Sequence, residues 1–152
     1  MNILIVFGVF VLMEPLTWTI HKYIMHGFLW RLHKDHHDHS SNSTFEKNDY
    51  FFVIFALPAI VLFYIGANNS YNHWFYIALG ITLYGMAYFF VHDIFIHQRL
   101  KVFRNTKNPY FKAIRRAHKQ HHKYITKHKG ECFGFLFFPI KYFKMYFNKV
   151  NL

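Results

Sequence analysis

The chain has 152 residues, the length of one domain; 53% of them are hydrophobic and only 16% are charged. About a quarter of the residues in a soluble domain are charged, so this composition excludes an ordinary soluble protein and indicates an integral membrane protein with a net charge of +11. Its single cysteine, Cys132, excludes an internal disulfide and a cysteine-rich metal site.

The first predicted element is a membrane helix over about residues 3–20, an apolar stretch interrupted only by Glu14. No basic leading segment or small-residue cleavage site accompanies this stretch, so we expect a retained helix rather than a signal peptide. An ionisable residue inside a membrane helix is a functional candidate by default. Structural pairing with another helix is the alternative for Glu14.

Two further membrane helices are predicted between Asp49 and Asp93. The 43 residues that separate these two acids include no Asp, Glu, Lys or Arg. As a helix they would extend roughly 65 Å, about two crossings of a 30 Å hydrocarbon core. The turn-like sequence over residues 66–72 divides them into spans at about 50–66 and 74–91.

The basic residues are concentrated on one side of this topology. Residues 99–129 contain eleven of the eighteen basic residues and no acid, and residues 22–47 contain four more. The positive-inside rule therefore places residues 21–49, and everything after about His92, on the cytoplasmic side of the cell (inner) membrane. The basic stretch would attract anionic lipid headgroups or an acidic electron carrier. We expect no nucleic-acid partner, because such a protein would combine a soluble scaffold with base-stacking residues.

The last predicted element covers residues 132–147. Its apolar run ends at Ile140 and is broken by Gly134 and Pro139, which makes it too short to span a bilayer alone. We expect an interfacial or re-entrant segment, with a fourth span as the alternative. The predicted fold is thus an all-α membrane bundle of three to four helices with a cytoplasmic, histidine-rich helical cap, in a single domain over residues 1–152.

Ten of the thirteen histidines form two patterns, and each pattern occurs twice. H-x4-H occurs at His21/His26 and His92/His97, and H-x2-H-H occurs at His33/His36/His37 and His118/His121/His122. Corresponding histidines are 71 residues apart in the first pattern and 85 in the second. This regularity indicates an internal repeat with an insertion in its second half, and two half-sites that face one another.

Ten imidazoles are too many for one ion and suit two metal ions with about five ligands each. Residues i, i+3 and i+4 share one face of an α-helix, so each H-x2-H-H presents its histidines together, while the adjacent His36 and His37 diverge towards different metals. Positions i and i+5 lie about 140° apart, so an H-x4-H pair does not chelate one metal from a regular α-helix. A π-bulge, a helix end or two separate metals would resolve this. Imidazole ligands favour iron, copper or zinc over magnesium or calcium.

Three acidic residues adjoin the histidines and are candidates to accept the second imidazole proton: Asp35, Asp38 and Asp93. The alternative is that these carboxylates are simply solvated at a helix end, and this alternative is weakest for Asp93. The histidines outside the repeated patterns are expected to be interfacial or core residues: His39, His73 and His128. A histidine-rich metal transporter is a rival function, but transporters carry polar ligands near the bilayer middle, where these spans are apolar.

Three motif blocks resemble those of a known family. The first runs from Met13-Glu14 through Trp18, His21-Lys22-Tyr23, Met25-His26-Gly27 and Leu29-Trp30 to His33-Lys34-Asp35-His36-His37. The second comprises His92-Asp93, His97-Gln98-Arg99, Asn108-Pro109-Tyr110 and residues 114–123, and the third is Gly130-Glu131-Cys132-Phe133-Gly134. Over about residues 13–145 the chain resembles the bacterial β-carotene 3-hydroxylases of the fatty acid hydroxylase superfamily.

This resemblance implies a membrane non-haem diiron monooxygenase that converts β-carotene through β-cryptoxanthin to zeaxanthin. It implies two Fe²⁺ ions held by the ten patterned histidines, O₂ as co-substrate, electrons from a ferredoxin-type donor, and a carotenoid substrate dissolved in the bilayer. Within enzymes, the alternative is a hydroxylase or desaturase of fatty acids or sterols from the same superfamily.

Overall fold

The computed structural model describes residues 2–38 and 45–147, and every regular element in these ranges is helical. Six α-helices follow one another: α1 (Asn2–Thr19), α2 (Trp30–His37), α3 (Tyr50–Asn68), α4 (His73–Tyr88), α5 (Pro109–His121) and α6 (Ile140–Phe147). Two π-helical segments continue α1 and α4: π1 (Ile20–Phe28) and π2 (Phe89–Ile96). A 3₁₀ turn at Lys47–Asp49 precedes α3. The all-α prediction is confirmed, and His39 lies outside the described residues.

Three helical stretches are long and apolar enough to cross a membrane: Asn2–Phe28, Lys47–Asn68 and His73–Ile96. Each contains one of the spans predicted from the sequence. Large apolar side chains point away from the protein along these helices; Phe7, Phe52 and Met86, for example, are 67%, 70% and 64% exposed. Such surfaces are consistent with lipid contact and with an integral membrane protein.

Helix α4 packs against both α1 and α3, and together they form the bundle. A small residue permits the close approach to α1, because a Cβ atom on Gly80 would lie 2.7 Å from the Cβ of Val9 and 2.8 Å from the carbonyl oxygen of Val6. The predicted turn between α3 and α4 is present. The Asn72 side chain ends it by accepting a hydrogen bond from the Trp74 N–H (3.1 Å), which caps α4.

The cap of the bundle consists of α2, α5 and α6. Asn108 starts α5 by accepting hydrogen bonds from the next two N–H groups after Pro109, which occupies the first helical position. Helix α6 packs on α5. Residues 122–139 connect the two helices without regular secondary structure. The predicted element at 132–147 is therefore part loop and part helix, and its interfacial or re-entrant position stays a prediction.

Candidate metal centre

The structure brings all ten patterned histidines together in two groups of five. Cluster A contains His21, His26, His33, His37 and His121. Cluster B contains His36, His92, His97, His118 and His122. Within each cluster, one ring nitrogen from every histidine lies within 4.8 Å of the others. All of cluster A and three members of cluster B are buried, and each cluster is able to bind a metal ion.

Each half of the repeat contributes one histidine to the cluster that the other half mainly forms. Cluster A takes four histidines from the first half and His121 from the second, whereas cluster B takes four from the second half and His36 from the first. His36 and His121 are the equivalent middle residues of the two H-x2-H-H motifs. The divergence of His36 and His37 into different clusters follows the sequence prediction.

Both H-x4-H pairs belong to π-helical segments, the second with His97 as the residue that caps the end of π2, and this explains how each pair serves one cluster. A π-helix pairs residue i with i+5, so it brings the two histidines of this spacing onto the same face. In the second half the His97 N–H donates directly to the His92 carbonyl oxygen (2.9 Å). In the first half π1 ends at a kink, where Gly27 has non-helical dihedral angles. The π-bulge alternative is therefore the correct one.

The Nδ1–H groups of cluster A point outwards and donate to oxygen atoms. Four of the acceptors are backbone carbonyls, those of Phe133 for His21 (2.8 Å), Lys127 for His26 (3.3 Å), Tyr124 for His37 (3.1 Å) and Glu131 for His121 (2.9 Å). His33 donates to the Asn48 side-chain oxygen at 2.7 Å. A carbonyl oxygen can only accept, so these bonds fix the proton on Nδ1 and leave each Nε2 as a lone pair.

The inward lone pairs face one another at close range. The Nε2 of His33 lies 3.1 Å from that of His21 and 3.2 Å from that of His37. In cluster B the corresponding distance is 3.1 Å between His36 and His92. Two imidazole nitrogens bound at a right angle to one metal ion lie about 2.9 Å apart when metal–nitrogen bonds are about 2.0–2.1 Å long. Converging lone pairs at this spacing repel each other unless a cation lies between them, so the donor set fits a transition metal.

The pKa values of the cap histidines favour the same neutral state. Burial lowers the pKa of His33 to about 3, although its hydrogen bond from Nδ1–H to Asn48 opposes the shift. Burial, reinforced by neighbouring histidines, also lowers the pKa of His36, His118 and His121 well below the usual value. At neutral pH these side chains are therefore uncharged and available as ligands.

Cluster B differs from cluster A in the charge of its outer contacts. The Nδ1 of His36 lies 2.7 Å from a Glu46 carboxylate oxygen, and that of His92 lies 3.1 Å from an Asp93 oxygen. Arg99 joins these acids, at 3.5 Å from Glu46 and 3.7 Å from Asp93. Carboxylate partners make an imidazole a stronger donor to a metal. The two clusters are thus chemically inequivalent despite their common origin in a repeat.

Of the three predicted acidic partners, Asp93 reaches an imidazole. The Asp35 carboxylate instead accepts the backbone N–H of Lys47 (2.6 Å), because α2 turns it towards the 3₁₀ turn and away from the histidines. Asp38 lies at the C-terminal end of α2, and its role stays a prediction. Glu46 and Asn48, which do reach imidazoles, were missed by sequence reasoning. The only signal in the sequence was their position. They lie just before the span predicted at about 50–66, and they follow the histidines that they contact by ten and fifteen residues.

Glu14 joins the first span to the loop of residues 131–139, which covers the clusters. One of its carboxylate oxygens accepts the N–H groups of three consecutive residues, 135–137, at 2.9–3.0 Å. The other accepts the Tyr84 hydroxyl from α4 at 2.5 Å. The tethered loop places the Phe133 carbonyl on His21 and stacks the Phe135 ring on the same imidazole, with centroids 5.2 Å apart. The Tyr84 contact confirms the alternative that Glu14 pairs with another helix. The contact with residues 135–137 is an additional one that the sequence did not indicate.

The two described histidines that break the repeat, His73 and His128, lie outside both clusters. His73 begins α4 at the opposite end of that helix from π2, and His128 is in an exposed part of the segment after α5. Among residues 2–38 and 45–147, neither belongs to a group that could hold a metal ion.

Comparison with known proteins identifies the family. The sequence profile named fatty acid hydroxylase matches residues 6–143. A β-carotene hydroxylase of Pantoea ananas is 40% identical over 139 residues, which cover 91% of this chain and 78% of the relative. A β-carotene hydroxylase of Paracoccus sp. (strain PC1) is 39% identical over 90% of this chain and 83% of the relative. The chloroplastic β-carotene 3-hydroxylase 2 of Arabidopsis thaliana is 36% identical over 91% of this chain and 48% of the relative. No solved structure matches the chain.

Proposed function

This chain belongs to the fatty acid hydroxylase family, and we propose that it hydroxylates the β-rings of β-carotene at C3, giving β-cryptoxanthin and then zeaxanthin. The observation that carries the proposal is the pair of five-histidine clusters, in a chain about 40% identical to β-carotene hydroxylases over about 90% of its length. The family and the relatives' names favour an enzyme over a metal transporter. The clusters also lie at the ends of the candidate spans rather than in their middles.

The proposed metal is iron, with one Fe²⁺ in cluster A and one in cluster B. The chemistry that two such ions would supply when bound is reductive activation of O₂ with two external electrons and two protons, so that one oxygen atom enters an unactivated ring C–H bond and the other leaves as water. Zinc would fit imidazole ligands but supplies no redox chemistry. The ten neutral histidines are the proposed ligands.

The protein's own part in the reaction is to fix these ligands and to exclude water. The outward Nδ1–H bonds hold each ring in one tautomer and one orientation. Phe133 and Phe135 cover the clusters: the Phe133 ring contacts His26 and His121 (5.1 Å each between centroids), and Phe135 contacts His92 at 5.4 Å. An apolar cover of this kind keeps bulk water from a reactive centre.

The electron donor is proposed to dock on the outer face of α5. The inner face of this helix carries the buried His118 and His121, whereas Lys112, Arg116 and Lys119 are exposed on the other side. Positive charge directly outside two ligands would attract an acidic, ferredoxin-type carrier. The same charge supports a cytoplasmic position for the metal centre in the cell (inner) membrane.

Expression in a host that accumulates β-carotene tests the function. We expect chromatography to show β-cryptoxanthin and zeaxanthin with the wild-type chain and neither with His36→Ala. Intact, iron-loaded protein that leaves β-carotene unchanged would refute the substrate assignment. New hydroxylated or desaturated fatty acids or sterols in that host would support the rival assignment within the superfamily.

A further inference from the structure

An elongated apolar cavity of about 780 Å³ lies between α3 and α4, with part of α1 forming its floor. Its walls are mainly Phe, Ile, Ala and Met side chains. The charged and amide side chains among the lining residues, Asn48, Asp49 and Asp93, are at the end nearest the histidine clusters. A cavity with apolar walls and a few polar groups at one end is typical of a site for a hydrophobic ligand whose reactive end is fixed.

The cavity is long and narrow rather than round. On α3 its lining extends from Phe51 to Phe63, and along α4 and π2 it extends from Ile81 to Ile94. At about 1.5 Å per residue, these distances correspond to roughly 18–20 Å along the helix axes. A rod-shaped hydrocarbon fits this shape.

Two aromatic rings line the end of the cavity that adjoins the metal centre. Tyr88 lines the cavity and stacks on His92, with centroids 4.6 Å apart and planes at 18°. Phe135 also lines it, contacts Tyr88 at 4.5 Å and stacks on His21. Because His21 belongs to cluster A and His92 to cluster B, the end of the cavity meets both clusters at the point where they adjoin.

We propose that this cavity is the carotenoid site: one ring lies against Tyr88 and Phe135, and the polyene runs outwards between α3 and α4. This assignment rests on the proposed function. The substrate is a rod about as long as the roughly 30 Å hydrocarbon core, so the cavity encloses one ring and about half of the polyene. The far ring lies outside it, so we expect a ring that already carries a hydroxyl group to be tolerated there. The same site then serves both hydroxylation steps after the product is released and reversed.

Two glycines provide a matched test. Gly85 on α4 lines the cavity, and a Cβ atom added there meets nothing within 4 Å. Gly8 on α1 also has no atom within 4 Å of an added Cβ, but it is not among the cavity-lining residues. Both are partly buried positions inside helices, where leucine is a better helix former than glycine. Gly85→Leu therefore fills the cavity, and Gly85→Ala adds one methyl group to it. Gly8→Leu controls for the effect of replacing a helical glycine by leucine outside the cavity.

The experiment measures β-carotene retained by protein purified without O₂ from a β-carotene-producing host, together with the iron content. We expect Gly85→Leu to retain at least tenfold less β-carotene than the wild type, Gly85→Ala an intermediate amount, and Gly8→Leu the wild-type amount, all with wild-type iron. Turnover in air should fall in the same order, for β-carotene and β-cryptoxanthin alike.

Equal retention by Gly85→Leu and the wild type, or no retention by the wild type, would overturn the site assignment. The function would still stand if the wild type hydroxylates β-carotene in air. Failure of iron-loaded wild type to hydroxylate β-carotene in air would instead refute the function.

Discussion

Replacing Glu14 tests whether the loop over the metal centre depends on one carboxylate within the first span. In Glu14→Ala, the Phe135 N–H loses its partner in a buried place, which costs about 1–3 kcal/mol. Two further N–H groups at residues 136 and 137 are part-buried, and each loses a bond worth about 0.5–1.5 kcal/mol. The local cost is therefore about 2–6 kcal/mol, enough to release the loop.

Release of the loop should weaken cluster A before cluster B. The loop supplies the carbonyl oxygens of Phe133 and Glu131 to His21 and His121, which are both in cluster A. Loss of such outer contacts weakens metal binding about 10- to 100-fold. Cluster B keeps the carboxylate contacts of Glu46 and Asp93, which do not depend on the loop.

The assay is a chelator titration of iron-loaded protein that follows iron release. We expect Glu14→Ala to release one of its two ions at about 10- to 100-fold lower chelator concentration, and the second at the wild-type concentration. Glu14→Gln keeps an oxygen acceptor for the loop, and its amide can donate to the Tyr84 hydroxyl, so it should stay within about threefold of the wild type. Identical release by Glu14→Ala and the wild type would refute the tether.

Three further predictions follow from the same contacts. Alanine at His36, His37, His121 or His122 should abolish nearly all product formation, and normal turnover in any of these variants would contradict the ligand assignment. His128→Ala should keep roughly wild-type turnover, because the exposed His128 ring lies outside both clusters. Removing the metal should lower Tm by at least about 5 °C in a thermal scan, because lone pairs then face each other in a buried site, and an unchanged Tm would argue against bound metal. Gly134→Ala should copy Glu14→Ala in the chelator titration, because its Cβ would collide with the Phe137 carbonyl oxygen, and wild-type release would contradict this reasoning.

Much of the fold could be predicted because it depends on features that are continuous along the chain. The uncharged run between Asp49 and Asp93 and the turn at residues 66–72 determine two antiparallel helices without tertiary information. The repeat of the histidine patterns likewise indicated two half-sites. The number of patterned histidines predicted two metal sites with about five ligands each, and the structure contains two groups of five.

Other features depend on packing between distant segments and left no such pattern. The π-helical form of residues 20–28 and 89–96 could be named only as one of three ways to reconcile the H-x4-H spacing. Asp35 was a candidate because it adjoins two histidines in sequence, yet the orientation of α2 directs it elsewhere. Backbone carbonyls from residues 124–133 complete cluster A, and a carbonyl carries no sequence signal at all. The cavity exists only once α3 has packed on α4.

The most direct test of the metal centre is iron quantification combined with X-ray absorption at the iron edge on anaerobically purified protein. Two irons per chain, each surrounded by nitrogen ligands with the scattering pattern of imidazole, are expected. One iron or none in active protein, or a first shell dominated by oxygen, would contradict the assignment of five histidines to each ion.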